Sequence, residues 1–297
     1  MTQPLSDVKK ALLELRLKEE RARQGARQDR LRPLVPLRPE GGRPPFFCVH
    51  GSSGSAFPYV GLANRVGRDQ PVYGLESPGL NDDARPLTTF EEMATSYVAA
   101  VTEQQAAGPY RIGGWSIGAI IALEMARQLR AAGHEVAQLV MIDTALLDRN
   151  DPADPIKCIR WFVHDLASMA SAATPDVEAV LTLPLEPRLV ALRELLVAKE
   201  LVPAELDRAT FERRVAIHES NIMAFHRYQP ARYHGEVAVL FASGSGFDHR
   251  IHELLHGDAP YQVIPGDHYT ILRPPQVDAL ATRVRRALEI PMTGDVP

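Results

Sequence analysis

A chain of 297 residues with 45% hydrophobic and 24% charged side chains has the balance of one or two globular domains, which excludes a disordered chain, a collagen and a coiled-coil rod. A formal net charge of −4 gives no electrostatic footprint for nucleic acid, and the two cysteines, Cys48 and Cys158, cannot build a disulfide framework. The apolar run Ala119 to Leu123 stops at Glu124, far short of the roughly 20 residues of a bilayer span, and charges interrupt the N-terminal apolar pattern, so neither a membrane anchor nor a secretory signal is expected and the cytoplasm is the expected location.

Charge is distributed unevenly along the chain. Residues 1–43 carry eleven Lys/Arg and six Asp/Glu, a net of +5, which leaves −9 for the remainder. Within that basic stretch Leu5, Val8, Leu12 and Leu15 recur at helical steps, so residues 1–30 read as a helical arm that packs on its own body or meets a partner. Residues 31–45 hold four prolines before Pro45 and two glycines, the composition of an extended linker.

From residue 46 onward strand and helix signals alternate. Strands are expected at 46–50, 71–75, 110–114, 136–143, 236–243 and 261–265. Helices are expected at 56–66, 90–105 (capped by Thr88 or Thr89), 117–132 and 277–288. Such alternation means an α/β fold, a mostly parallel twisted sheet with helices on both faces. Residues 148–232 interrupt it with apolar helical stretches and no strand run, too long for a plain crossover. The expected organisation is therefore a core of 46–147 and 233–297 with a mobile helical lid at 148–232, its helices near 156–170, 187–199 and 204–227. Both ends of this insertion lie at the sheet edge where the reactive residues are expected. Its apolar side chains, Trp161, Phe162, Met223 and Phe225 foremost, are candidates to bind a largely apolar substrate.

The chemistry centres on Gly114-Trp115-Ser116-Ile117-Gly118, a G-x-S-x-G between a strand and a helix. The turn between them is so sharp that its flanking positions must be small, and it lifts the serine hydroxyl to a helix N-terminus, where a developing negative charge is favoured. A nucleophilic serine needs a base and an orienting acid, both at the C-terminal ends of neighbouring strands. His268, in a glycine-containing loop after the last strand, is the base expected from the order Ser, Asp, His. Asp143 closes the strand after the serine's helix, and Asp248 follows the next strand as a rival acid; Asp267 is read as a brace for the histidine loop. The oxyanion donors expected are the N–H groups of Ile117 and of Ser52, the latter in His50-Gly51-Ser52-Ser53-Gly54. The run His252-Glu253-Leu254-Leu255-His256 matches H-E-x-x-H, but Gly257 ends the helix and no third ligand follows in register, so no metal site is expected.

Together these residues resemble the thioesterase domains of modular polyketide synthases and nonribosomal peptide synthetases. The likeness is carried by RPPFFCVHGSSG, QPVYGLESPGL, GPYRIGGWSIGAIIALEMARQLRAAG, VAQLVMID, NIMAFHRYQPARYHGEVAVLFAS and PGDHYTILRPP, and it covers about residues 31–290. His50-Gly51 departs from the proline-containing first loop commoner in that family. The resemblance implies an α/β-hydrolase fold with a helical lid, and it selects Asp143 over Asp248 as the acid. It also implies a serine acyl-enzyme that takes an acyl or peptidyl chain from the phosphopantetheine of a carrier protein and releases it by hydrolysis or cyclisation. No metal or nucleotide cofactor is implied. Trp115 before the serine resembles chain-terminating members rather than editing ones. The alternatives are an editing (type II) thioesterase, a generic esterase or lipase, and a non-catalytic docking protein. Residues 1–30 lie outside the likeness and are candidates to contact a carrier or a neighbouring synthase subunit.

Overall fold

The structure is a computed structural model that describes residues 33–82, 84–146, 154–246, 248–255 and 261–289. The arm expected at 1–30 lies outside the described residues. Among the described residues seven strands form one sheet in the order β1-β3-β2-β4-β5-β6-β7. They are β1 (Leu34–Arg38), β2 (Phe46–Val49), β3 (Val72–Leu75), β4 (Tyr110–Trp115), β5 (Val136–Ile142), β6 (Val237–Ala242) and β7 (Tyr261–Ile264). All neighbours from β3 to β7 pair in parallel; β1 alone runs antiparallel, against β3.

The central strands read as unbroken apolar runs because both of their faces are covered. Alternate residues supply the two cores: Phe47, Val49, Leu139 and Met141 face one way, and Phe46, Cys48, Val140 and Ile142 the other. The first face is covered by α2 (Phe90–Gln104) and α3 (Ile117–Ala131). The second is covered by α1 (Val60–Ala63) and α9 (Gln276–Glu289). Thr89 caps α2, its side chain accepting from the Glu92 amide, so the second of the two candidate caps is the one used.

Between β5 and β6 the described residues form four helices: α4 (Pro155–Met169), α5 (Glu178–Leu181), α6 (Leu185–Ala198) and α7 (Arg208–Arg227). Asp154 and Asp207 cap α4 and α7. These helices share a small core of their own, with Ile159, Phe162, Val163, Leu192, Leu196, Phe211 and Val215 buried together. The far end of α7 and the residue that follows it belong to the main core, where Ala224, Phe225 and Tyr228 are buried. A further helix, α8 (Arg250–Leu254), lies between β6 and β7.

The stretch 31–45 is not a plain linker. Leu34–Arg38 adds an edge strand to the sheet, with Leu34 opposite Leu75 and an irregularity between Pro36 and Arg38. Proline cannot donate to a ladder, but an edge strand needs only one of its sides bonded, so the prolines do not forbid it. The helix expected at 56–66 is a 3₁₀ turn (Phe57–Tyr59) running into the short α1. No helix among the described residues is long and apolar enough to cross a membrane.

Candidate active site

Ser116 occupies the one-residue turn between β4 and α3. Its φ of 59° and ψ of −133° lie in a region that a residue with a side chain rarely adopts, at a cost of about 1–3 kcal/mol. The surroundings hold it there. Its amide donates to the Ile142 carbonyl at 3.0 Å. The preceding Trp115 amide donates to the Tyr59 hydroxyl at 2.6 Å, which in turn donates to the Val49 carbonyl at 2.6 Å. The flanking glycines are required by backbone contact. A Cβ on Gly114 would lie 2.2 Å from the Gly118 carbonyl group, and one on Gly118 would lie 2.3 Å from the His50 carbonyl oxygen.

β5 lies beside β4 and delivers Asp143 at its end, buried and at a φ of 44°. Three donors converge on its carboxylate: the Ala242 amide on Oδ1, and the Ser245 hydroxyl and His268 Nδ1 on Oδ2, each at 2.7 Å. Since a carboxylate only accepts, Nδ1 carries the proton and Nε2 is free to accept. Nε2 faces the Ser116 hydroxyl at 3.1 Å. The imidazole packs against the Trp115 indole at 4.8 Å between ring centroids, while Trp115 Nε1 donates to the His268 carbonyl at 3.0 Å. Asp267 accepts from the amides of Tyr269 and Thr270, both at 2.9 Å, and so ties the histidine loop into a turn.

Of the two candidate acids, the structure brings Asp143 to the histidine. Asp248 instead accepts from the Leu146 amide at 2.8 Å and pairs with Arg250 at 2.8 Å. His50, in the first loop, does not face the serine. Its Nδ1 donates to the Gly51 carbonyl and its Nε2 accepts from the Tyr97 hydroxyl at 2.6 Å. Burial pushes this imidazole down to about 4, against a smaller upward pull from the Gly51 carbonyl, so it is a neutral packing group.

Ser116, Ile117, Ser52 and His268 line a single cavity of about 400 Å³. Its apolar wall includes Trp161, Ile222, Phe225 and Phe241, and Asp165, Tyr269 and Thr144 add polar groups. Of the four side chains expected to bind substrate, Trp161 and Phe225 are therefore on the wall and Phe162 and Met223 are not. Phe162 is buried in the insertion's own core, edge-on to Phe211 at 6.1 Å and to His218 at 5.4 Å. Helical geometry explains the split, because adjacent residues point about 100° apart while steps of three and four share a face. Trp161 and Asp165 share one face of α4, Ile222 and Phe225 one face of α7, and Phe162 and Met223 fall off those faces.

In the H-E-x-x-H run, His252 and Glu253 lie on the five-residue α8, and His256 lies outside the described residues. Among the described residues no group of three or more His, Cys, Asp or Glu could hold a metal ion. What the site can do follows from its donors. A hydroxyl faces an imidazole nitrogen able to take its proton, and a buried carboxylate is placed to stabilise the imidazolium that results.

The family model described as Thioesterase domain matches residues 44–288. The dimodular nonribosomal peptide synthase of Bacillus subtilis (strain 168) is 40% identical over 124 residues, which cover 42% of this chain and 5% of that protein. Atromentin synthetase greA of Suillus grevillei is 32% identical over 264 residues, 81% of this chain and 26% of that protein. Among solved structures, a holo four-domain nonribosomal peptide synthetase bound to AMP and glycine superposes with a TM-score of 0.80 at 28% identity, over 87% of this chain and 20% of that one. The chain thus spans about a quarter or less of the length of each of these relatives.

Proposed function

The chain belongs to the thioesterase domain family, and from that premise we propose that it releases an acyl or peptidyl chain from the phosphopantetheine arm of a carrier protein through an acyl-enzyme on Ser116. The observation that carries the reading is the relay Ser116–His268–Asp143, with links of 3.1 and 2.7 Å, opening onto a cavity walled by Trp161, Ile222 and Phe225.

His268 Nε2 takes the proton as Ser116 Oγ attacks the thioester carbonyl. Asp143 stabilises the imidazolium and keeps the proton on Nδ1. The amides of Ile117 and Ser52 hold the oxyanion, each worth about 3–4 kcal/mol in such sites. The phosphopantetheine thiol leaves with the proton from Nε2. Water, or a hydroxyl or amine of the chain itself, then takes its place opposite the acyl carbonyl, and His268 serves as base a second time. The apolar wall suits the body of the acyl chain. The cluster of relatives that are large synthases and synthetases supports a carrier protein as the donor. Residues 1–30, within the basic stretch 1–43 of net +5, are suited to an acidic carrier or a neighbouring synthase subunit.

The test is mass spectrometry of a carrier protein loaded with an acyl-phosphopantetheine thioester. Catalytic loss of the acyl mass with the parent chain, and none with Ser116→Ala, is expected. An intact carrier thioester beside rapid turnover of simple esters would overturn the proposal in favour of a generic esterase.

A further inference from the structure

One carboxylate in the cavity wall comes from the insertion rather than from the sheet. Asp165 lies one turn after Trp161 on α4, and its oxygens accept from three donors on three separate segments. The Tyr269 hydroxyl reaches Oδ1 at 2.6 Å, while the Ser52 hydroxyl and His218 Nε2 reach Oδ2 at 2.7 and 3.0 Å. Two of these donors flank the reactive groups. Ser52 belongs to the loop after β2 whose amide is the proposed oxyanion donor. Tyr269 follows His268, and its ring stands edge-on to the imidazole at 5.1 Å.

Further bonds tie the same segments together. Asn221 on α7 donates to the Ser52 carbonyl at 3.0 Å. Arg273, one turn beyond Tyr269, donates to the Ser168 carbonyl at 2.8 Å and to the Ser171 hydroxyl at 3.0 Å, at the C-terminal end of α4. His218 and Asn221 are buried, and the Asp165 side chain they surround is 26% exposed, so the network is partly screened from water. The insertion is therefore fastened to both loops that complete the site, and Asp165 is the only one of these groups that touches both.

We infer that Asp165 is a positioning residue that couples seating of the helical cap to assembly of the site, because one carboxylate fixes the Ser52 loop and the His268 loop together. With α4 seated, the oxyanion amide and the imidazole are held in reacting geometry. With α4 lifted, both loops lose their shared anchor, so a site open to bulk water is also a site out of alignment. This rests on the reading of Ser116 as nucleophile.

The test uses the full chain, an acyl-N-acetylcysteamine thioester and a fluorophosphonate probe. Asp165→Ala is expected to lower kcat by roughly 10- to 100-fold, the scale of a small misplacement of reacting groups, with KM changed much less. Placed on Ser52→Ala/Tyr269→Phe, where its partners' hydroxyls are already gone, the same substitution is expected to cost under ~3-fold. An equal cost in both backgrounds, or a lowered melting temperature with kcat intact, overturns the inference. If Asp165→Ala does not fold, Ser52→Ala and Tyr269→Phe each remove a single oxygen; unchanged kcat in both overturns the inference, and a several-fold loss in each supports it. The probe distinguishes failure of the nucleophile from failure of its positioning. A parent chain that is not labelled at Ser116 defeats the nucleophile reading, whereas equal labelling rates in parent and Asp165→Ala defeat this inference alone.

Discussion

Replacing Asp143 with asparagine removes one acceptor atom and leaves the shape of the side chain. Three donors meet the carboxylate at 2.7 Å, the Ala242 amide on one oxygen and the Ser245 hydroxyl and His268 Nδ1 on the other. The Ala242 amide is part of the backbone and cannot turn away, so the asparagine carbonyl must accept from it. The amide NH₂ then faces Ser245 and His268. Ser245 can rotate its hydroxyl to accept, but Nδ1 can accept only by moving its proton to Nε2. There it points at the Ser116 hydroxyl, and the imidazole can no longer take the serine's proton. Loss of the working tautomer costs about 10⁴-fold in kcat, equivalent to about 5.4 kcal/mol of barrier. Single-turnover acylation with a soluble acyl thioester reads this directly, with Asp248→Asn as the control. Asp248 bonds Leu146 and Arg250, so its loss should leave acylation within ~3-fold, consistent with the small worth of a pair whose arginine is exposed. An Asp143→Asn chain that acylates within tenfold of the parent, or an Asp248→Asn chain that proves the more damaged, would refute the reasoning.

Gly118→Ala should destabilise the fold by more than ~3 kcal/mol, since the new Cβ would meet the backbone oxygens of His50 and Val49 at 2.3 and 2.4 Å and neither can swing aside; chemical denaturation measures it. Tyr59→Phe leaves the Trp115 amide and the Val49 carbonyl without their shared hydroxyl in a buried place, and should cost about 1–3 kcal/mol per orphaned group, read as a lowered melting temperature. For Asp165, burial pushes the carboxyl up, but the bonds from His218, Tyr269 and Ser52 outweigh it and hold it below the usual range. A depressed carboxyl stabilises the fold above its unfolded pKa of about 3.9 and loses that contribution as pH falls through the folded value. The melting-temperature gap between parent and Asp165→Asn should therefore be full at neutral pH and close in strongly acidic solution; a gap independent of pH would contradict this.

The parts legible in the sequence are those with a local cause. Runs such as FFCV and VAQLVMI announce buried parallel strands because both faces are covered, and the elbow at Ser116 is legible because only glycine fits beside it. β1 was hidden by Pro36 and by the flanking Pro33 and Pro39, which argue against a central strand but not against an edge. Asp143 and Asp248 could not be separated by position alone, since each follows a strand at the same edge. What divides them is Arg250, two residues from Asp248, which takes up that carboxylate. The Asp165 network was missed because its members are far apart in the chain, at 52, 165, 218 and 269. A faint signal was present. Asp165 falls four residues after Trp161, and His218 falls in the stripe Phe211, Val215, His218, Ile222, polar side chains where helical periodicity calls for apolar ones.

The central claim is that Ser116 carries the acyl chain, and intact-protein mass spectrometry followed by peptide mapping tests it most directly. After brief exposure to an acyl thioester or a fluorophosphonate, the account predicts one added mass, on the peptide that contains Ser116, and none in Ser116→Ala. A label on any other residue, or one that persists in the alanine variant, would contradict it.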